Sequence, residues 1–190
     1  MHIEKNVFEN FFHTIMNVKG KTKDDLRSRK DIEYYCNRPE LKINPIRPNF
    51  KVLACYELDR TRCIKLLEWV DSLRFPDGIA SNMKRCVDMK DLILSSMKSH
   101  DCHVFLETPF PIVFKELLPQ KVWMPITELS LFFKEICSTT LSKGHLQKLE
   151  RDIPKLICKL EKIFPLEFLT AWNICQYIYQ LKHYYVDQCS

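Results

Sequence analysis

Apolar side chains recur every three or four residues through most of the chain, which is the spacing of one helix face. Over residues 2–18, Phe8, Phe11, Phe12 and Ile15 fall on such a face. The same spacing predicts further helices over 22–36, 59–73, 81–87, 89–97, 99–118 with a break near Pro109, 126–137, 143–164 and 166–185. The strict alternation of apolar and polar residues that is typical of strands is absent.

Candidate caps mark where these helices begin and end. Gly20 suits a left-handed helix end, and Thr22 followed by Asp25 resembles a capping box. Either Asp59 or Thr61 can cap the third helix. The pattern predicts an all-α fold, an irregular array of about seven to nine helices, several kinked or ended by proline, with little or no sheet.

Prolines also divide the chain into regions. Residues 1–36 form an N-terminal helical segment. Pro39, Pro45 and Pro48 favour an extended chain, so residues 37–56 read as a Pro-rich connector. Residues 57–190 form the main helical domain.

The composition excludes several classes of protein. Of the 190 residues, 46% are hydrophobic and 12% aromatic, which excludes a disordered chain. Only 3 residues are glycine, which argues against collagen-like and glycine-rich nucleotide-binding folds. No run of apolar residues is long enough to span a membrane, so we expect no membrane partner.

The 9 cysteines include no pair in C-x-x-C spacing, so the sequence does not predict a zinc ribbon or a thioredoxin-like site. The charged N-terminal stretch does not resemble a signal peptide. We therefore expect an intracellular, non-secreted protein whose thiols are free and pack as small hydrophobic side chains.

Positive charge is concentrated near the N-terminus. Residues 1–51 carry 11 Lys and Arg against 7 Asp and Glu, whereas the whole chain has a net charge of +5. Within this region, six cations in twelve residues could contact phosphates without reading base sequence. These candidate DNA-binding residues are Lys19, Lys21, Lys23, Arg27, Arg29 and Lys30. The alternative is an ordinary solvated helix face.

The densest group of metal-ligand side chains is His100, Asp101, Cys102 and His103. On a helix, His100 and His103 share a face and could bind one metal ion. A metal site needs three or four ligands, and no second cluster has matching spacing. The sequence therefore predicts neither a metal site nor a cofactor, and it marks no catalytic residue and no small-molecule substrate.

Several strings resemble one family in order along the chain. They include Met1-His2-Ile3-Glu4-Lys5-Asn6-Val7, Arg38-Pro39-Glu40-Leu41, Met89-Lys90-Asp91-Leu92 and Lys98-Ser99-His100-Asp101-Cys102-His103-Val104. These strings resemble the region that follows the transposase domain of plant CACTA-type (En/Spm-like) transposons, the domain of unknown function numbered four-two-one-eight. The resemblance covers residues 1 to about 169, and residues 171–190 depart from the family pattern.

The resemblance implies an origin more than an activity. Relatives of this kind have an RNase H-like catalytic core that uses three acidic residues and divalent metal ions. The resemblance places those acids outside this chain, so we expect a truncated, non-catalytic fragment. Residues that match family strings but have no known role are His2, Glu4, Asn6, His100, Asp101, Cys102 and His103.

Two functions from different classes follow. The first is a transposase-derived helical domain that associates with DNA non-specifically through the basic N-terminal segment. The alternative is a protein-interaction module that packs on a transposase core or on another partner chain. The resemblance also implies a nuclear location.

Overall fold

Helices make up most of the chain that the computed structural model describes, which comprises residues 2–44, 46, 51–76, 82–138 and 142–165. Seven α-helices lie within these ranges, so the predicted all-α fold with little sheet is confirmed. They are α1 (His2–Ile15), α2 (Leu26–Tyr35), α3 (Arg60–Ser72), α4 (Ser99–Glu107), α5 (Pro109–Leu117), α6 (Gln120–Ile136) and α7 (Lys143–Glu161). The predicted last helix over 166–185, and residues 171–190 with it, lie outside the described residues.

The first helix ends earlier than the pattern predicts, at Ile15. Asn17 adopts a left-handed conformation with φ of 50°, and the Val18 N–H donates to the His13 carbonyl at 2.8 Å. This arrangement is a Schellman motif, which satisfies carbonyls that a helix end leaves unpaired. Gly20 is also left-handed, with φ of 76°, but it lies in the turn after the helix end.

The second helix begins at a different cap from the predicted one. The Asp25 carboxylate accepts a hydrogen bond from the Ser28 N–H at 2.8 Å and caps α2. The Thr22 hydroxyl instead accepts from the Asp24 N–H at 3.1 Å, within the preceding turn. Asp59 caps α3, which confirms one of the two predicted alternatives.

The prediction of two short helices over residues 81–97 is wrong for most of that segment. In their place lie a 3-10 turn (Met83–Cys86) and an antiparallel hairpin of β1 (Val87–Asp88) and β2 (Ile93–Leu94). The Asp88 carboxylate accepts hydrogen bonds from the N–H groups of Lys90 and Asp91, at 2.9 and 3.1 Å. These bonds stabilise a turn in competition with a helix.

Four prolines lie within the described α-helices, namely Pro109, Pro111, Pro125 and Pro154. Pro109 separates α4 from α5, as the sequence predicts, because its ring fits a first helical turn. The sequence places the start of the next helix between Pro119 and Pro125, and α6 begins within that interval, at Gln120. The helix then continues through Pro125. Helix α7 likewise continues through Pro154.

The face of α1 forms the centre of the hydrophobic core. Phe8 packs edge-on against Phe105 and Phe110, with ring centroids 5.4 and 5.7 Å apart. Phe11 makes edge-on contacts with Phe110 and with Phe164 beyond α7. The predicted N-terminal segment and main helical domain therefore share one core.

The connector is attached to the end of α7 by Arg38, which lies just before the 3-10 turn Pro39–Leu41. Its guanidinium donates to the carbonyls of Phe164 at 2.8 Å and Ile163 at 2.7 Å, and also to that of Glu161 at 3.2 Å. A cation in this position satisfies carbonyls that the helix leaves unpaired and interacts favourably with its negative end.

Phe11 should be among the side chains on which folding depends most. Phe11→Ala removes a fully buried ring and should lower the free energy of unfolding by about 3–5 kcal/mol in a urea titration. Ile112→Ala is the control, because this side chain on α5 is 58% exposed and should change stability by less than about 0.5 kcal/mol. Equal losses in the two variants would contradict this description of the core.

Candidate functional site

A buried carboxylate organises the turn before α2. Asp24 is fully buried, and its Oδ2 atom lies 2.6 Å from Arg29 Nη2 and 2.9 Å from the Tyr56 hydroxyl. Arg29 Nε donates to the other oxygen, so the guanidinium and the carboxylate meet through two parallel contacts. Lys51 Nζ lies 3.2 Å from the same carboxylate.

The connector supplies the second half of this network. Lys51 also donates to the Asp24 carbonyl at 2.8 Å and pairs with the buried carboxylate of Glu57. Glu57 in turn accepts a hydrogen bond from the Ala54 N–H at 2.9 Å. Two carboxylates thus face two cations, which leaves the buried network electrically neutral.

These contacts determine the ionisation of the pair. Burial alone would raise the pKa of Asp24, but the hydrogen bond from Arg29 and the charge of Lys51 outweigh it, so that pKa is lowered. Burial likewise opposes the charged form of Arg29, yet its hydrogen bond to Asp24 raises its pKa. Both groups therefore stay charged inside the protein.

The structure corrects the predicted DNA-binding set in one respect. Arg29 is 0% exposed and is bound to Asp24, so it cannot contact phosphate in this fold. The other five cations lie at the surface, with Lys23 half-buried and Lys19, Lys21, Arg27 and Lys30 exposed. None of the five forms an ion pair within the described part of the chain.

Some of these cations are close to one another. Lys19, Arg27 and Lys51 line a shallow depression of about 520 Å³ that opens to solvent, with Asp25 on its wall. Lys21 lies near His13, where burial and then the charge of Lys21 lower the pKa of the imidazole. Two surface segments therefore present positive charge together, namely the turn after α1 and the first part of α2.

An aromatic side chain extends the exposed face of α2. Arg27, Lys30 and Tyr34 are spaced by three and four residues, which places them along one side of the helix. Tyr34 is 81% exposed and contacts the Tyr35 ring edge-on, with centroids 4.7 Å apart. Asp31 lies beside this row and reduces its positive charge.

The predicted cluster at residues 100–103 does not act as one unit. Asp101 is buried and its carboxylate accepts from the Lys98 N–H at 3.2 Å, which caps α4. Cys102 is fully buried, and burial raises the pKa of its thiol to about 12. His100 is exposed, whereas His103 points inward, and their ring centroids lie 6.3 Å apart.

His103 instead joins two side chains that lie far from it in the sequence. Its Nδ1 atom is 3.2 Å from an oxygen of Glu4, and the Cys137 thiol donates to the other Glu4 oxygen at 2.8 Å. The ligand-type atoms of these three residues all lie within 4.8 Å of one another. The sequence marks Glu4 only as a family-string residue, and sequence reasoning missed Cys137. Of the other two family-string residues, Asn6 is exposed, and the His2 side chain lies outside the described part.

A groove between two helices carries apolar side chains. It lies between α6 and α7, has a volume of about 190 Å³, and is lined by Leu131, Phe132, Leu149 and Ile153 among others. Leu131 is more than half exposed. Charged side chains, including Glu128 and Lys148, form its rim.

Comparison with known proteins identifies no counterpart, because no family model, curated protein or solved structure matches the chain. The geometry of the chain itself must therefore support any functional proposal. Among the described helices, none combines the length and the apolar character that a membrane crossing requires.

Asp24 provides a test of the buried network. Asp24→Asn should lower the free energy of unfolding at pH 7 by about 3–5 kcal/mol, because it leaves the Arg29 charge buried with one carboxylate fewer. Glu33→Gln is the matched control, since it neutralises an exposed carboxylate on α2 and should have little effect. Urea unfolding monitored by circular dichroism measures both variants.

The pH dependence tests the same contact independently. The pKa of Asp24 is lower in the folded protein than in the unfolded chain, so its contribution is present above about pH 4. That contribution is lost as the pH falls through the lowered value. The stabilities of wild type and Asp24→Asn should therefore converge in acid, and a difference that persists unchanged there would contradict the assignment.

Proposed function

We propose that this chain is a non-catalytic, transposase-derived helical domain of the plant CACTA type that associates with DNA through a basic surface. The basic surface consists of the exposed or half-buried cations after α1 and on α2. Its members are Lys19, Lys21, Lys23, Arg27 and Lys30. A nuclear location would follow from this role.

The observation that carries the proposal is that these five cations lie at the surface outside any ion pair of the described chain. A phosphate that approaches them need not displace a carboxylate first. Each cation that contacts a phosphate releases counterions from the nucleic acid, and this release drives non-specific association. The exposed Tyr34 ring adds a surface on which an unpaired base could stack.

The buried ion pair supports the same proposal, because it keeps the negative charge of Asp24 away from the basic surface. Asp24 binds Arg29 and Lys51, so its negative charge does not oppose a phosphate at the surface. Within residues 19–31, Asp25 and Asp31 are the acidic side chains that are not buried. The surface therefore keeps a net positive charge.

Two of the buried thiols are poor candidates for a nucleophile. Burial raises the pKa of Cys63 to about 11 and that of Cys102 to about 12. A thiol is nucleophilic as its thiolate, which such values disfavour at neutral pH.

A second candidate function is a protein-interaction module that packs on a transposase core or another partner chain. The groove between α6 and α7 favours it, because apolar side chains such as Leu131 are exposed there beside a charged rim. Apolar centres surrounded by polar rims are common at protein interfaces.

The DNA proposal predicts a specific salt dependence. The affinity of the full chain for a non-specific duplex should fall linearly on a log–log plot against salt concentration. A quadruple variant that replaces exposed cations with glutamine should lower the slope by about 0.9 for each phosphate that is no longer neutralised. The positions are Lys19, Lys21, Arg27 and Lys30.

A second quadruple variant is matched in net charge. It replaces four exposed lysines outside the basic surface, namely Lys65, Lys90, Lys134 and Lys143. The control should keep most of the affinity and the slope if the basic surface makes the contacts. Equal losses in both variants would show that net charge alone attracts DNA, and absence of binding at low salt would refute the proposal.

A further inference from the structure

We propose that Glu4, His103 and Cys137 form a zinc-binding site that links α1, α4 and the end of α6. The three residues come from elements far apart in the sequence, yet their ligand atoms lie within 4.8 Å of one another. This site is separate from the basic surface and does not depend on DNA binding.

The geometry suits one small cation. The thiol sulfur of Cys137 is 2.8 Å from one Glu4 oxygen, and Nδ1 of His103 is 3.2 Å from the other. Zinc binds thiolate, imidazole and carboxylate at about 2.0–2.3 Å, so its ligands lie only a few ångströms from each other. Small side-chain rotations therefore suffice to direct the three groups toward a common point.

The types of ligand atom favour zinc over magnesium and calcium. A thiolate and an imidazole are ligands typical of zinc, whereas magnesium and calcium prefer oxygen ligands alone. Glu4 and Cys137 would contribute two negative charges, which balance the charge of Zn²⁺ with a neutral His103. Charge balance matters here because the Glu4 side chain is only 1% exposed.

The environment of His103 supports the assignment. Its Nδ1 atom is buried and has no well-directed hydrogen bond among the described residues, although it lies near Glu4. On the opposite edge of the ring, Nε2 faces the Glu107 carboxylate at 3.6 Å. Histidines that bind a metal through one nitrogen commonly direct the other toward a carboxylate, which orients the ring. Glu107 is thus a positioning residue.

Binding has a proton balance. The Cys137 thiol must lose its proton to bind zinc, and that proton passes to solvent. His103 binds through neutral Nδ1, so its remaining proton is on Nε2, toward Glu107. Without metal, Nδ1 of His103 lies beside one Glu4 oxygen and the Cys137 thiol donates to the other. A proton on Nδ1 in that state must also leave the atom when zinc binds, and it too passes to solvent.

Cobalt(II) substitution tests the site on the full chain. Titration of reduced, metal-free protein with Co²⁺ should produce a sulfur-to-cobalt charge-transfer band that saturates at one equivalent and disappears when Zn²⁺ is added. Cys137→Ser and His103→Ala should abolish the band. Glu107→Gln should weaken zinc affinity by about 10–100-fold, as loss of an outer-shell partner does.

Matched controls are needed because the chain has 9 cysteines. Cys158→Ser and His145→Ala replace exposed residues away from the cluster and should leave the band unchanged. The proposal is wrong if wild type gives no such band, or if Cys137→Ser gives a band equal to that of wild type.

Thiol protection provides a readout that needs no variant. One equivalent of Zn²⁺ should slow alkylation of Cys137 by iodoacetamide, measured by peptide mass spectrometry, with little effect on the exposed Cys158. Equal alkylation of Cys137 with and without zinc would also overturn the proposal.

Discussion

The buried carboxylate of Asp24 constrains the N-terminal half of this protein. A charge removed from water costs several kcal/mol unless opposite charges and hydrogen bonds surround it, so Arg29, Lys51 and Tyr56 must converge on it. That convergence brings the connector against the start of α2. It also separates the cations that bind the buried carboxylates from the cations that face solvent.

A second constraint is the aromatic face of α1, which meets α4, α5 and the end of α7. Phe8 and Phe11 occupy its centre, and Glu4 lies one turn before Phe8. A carboxylate so close to an apolar face requires a compensating partner, which His103 and Cys137 supply. The helix that builds the core thereby also builds the proposed zinc site.

Local pattern predicts the helices well, because an apolar face repeats every turn and caps such as Asp59 act on neighbouring residues. The sequence does not predict the hairpin at 87–94, because its strands are only two residues long and its turn depends on one side chain, Asp88. Contacts between residues far apart in the sequence were not predicted either. In the sequence Arg29 looks like a surface cation, because its burial depends on Asp24 and the connector. Cys137 is 133 residues from Glu4, so no local pattern links them.

We infer that the surface beside the Asp24 network contacts DNA. Backbone amide chemical shifts of the isotope-labelled chain, recorded during titration with a short non-specific duplex, test it most directly. We expect the shift changes to concentrate in residues 18–30 and to be small along the groove between α6 and α7. Shifts confined to that groove, or spread evenly over the chain, would contradict it.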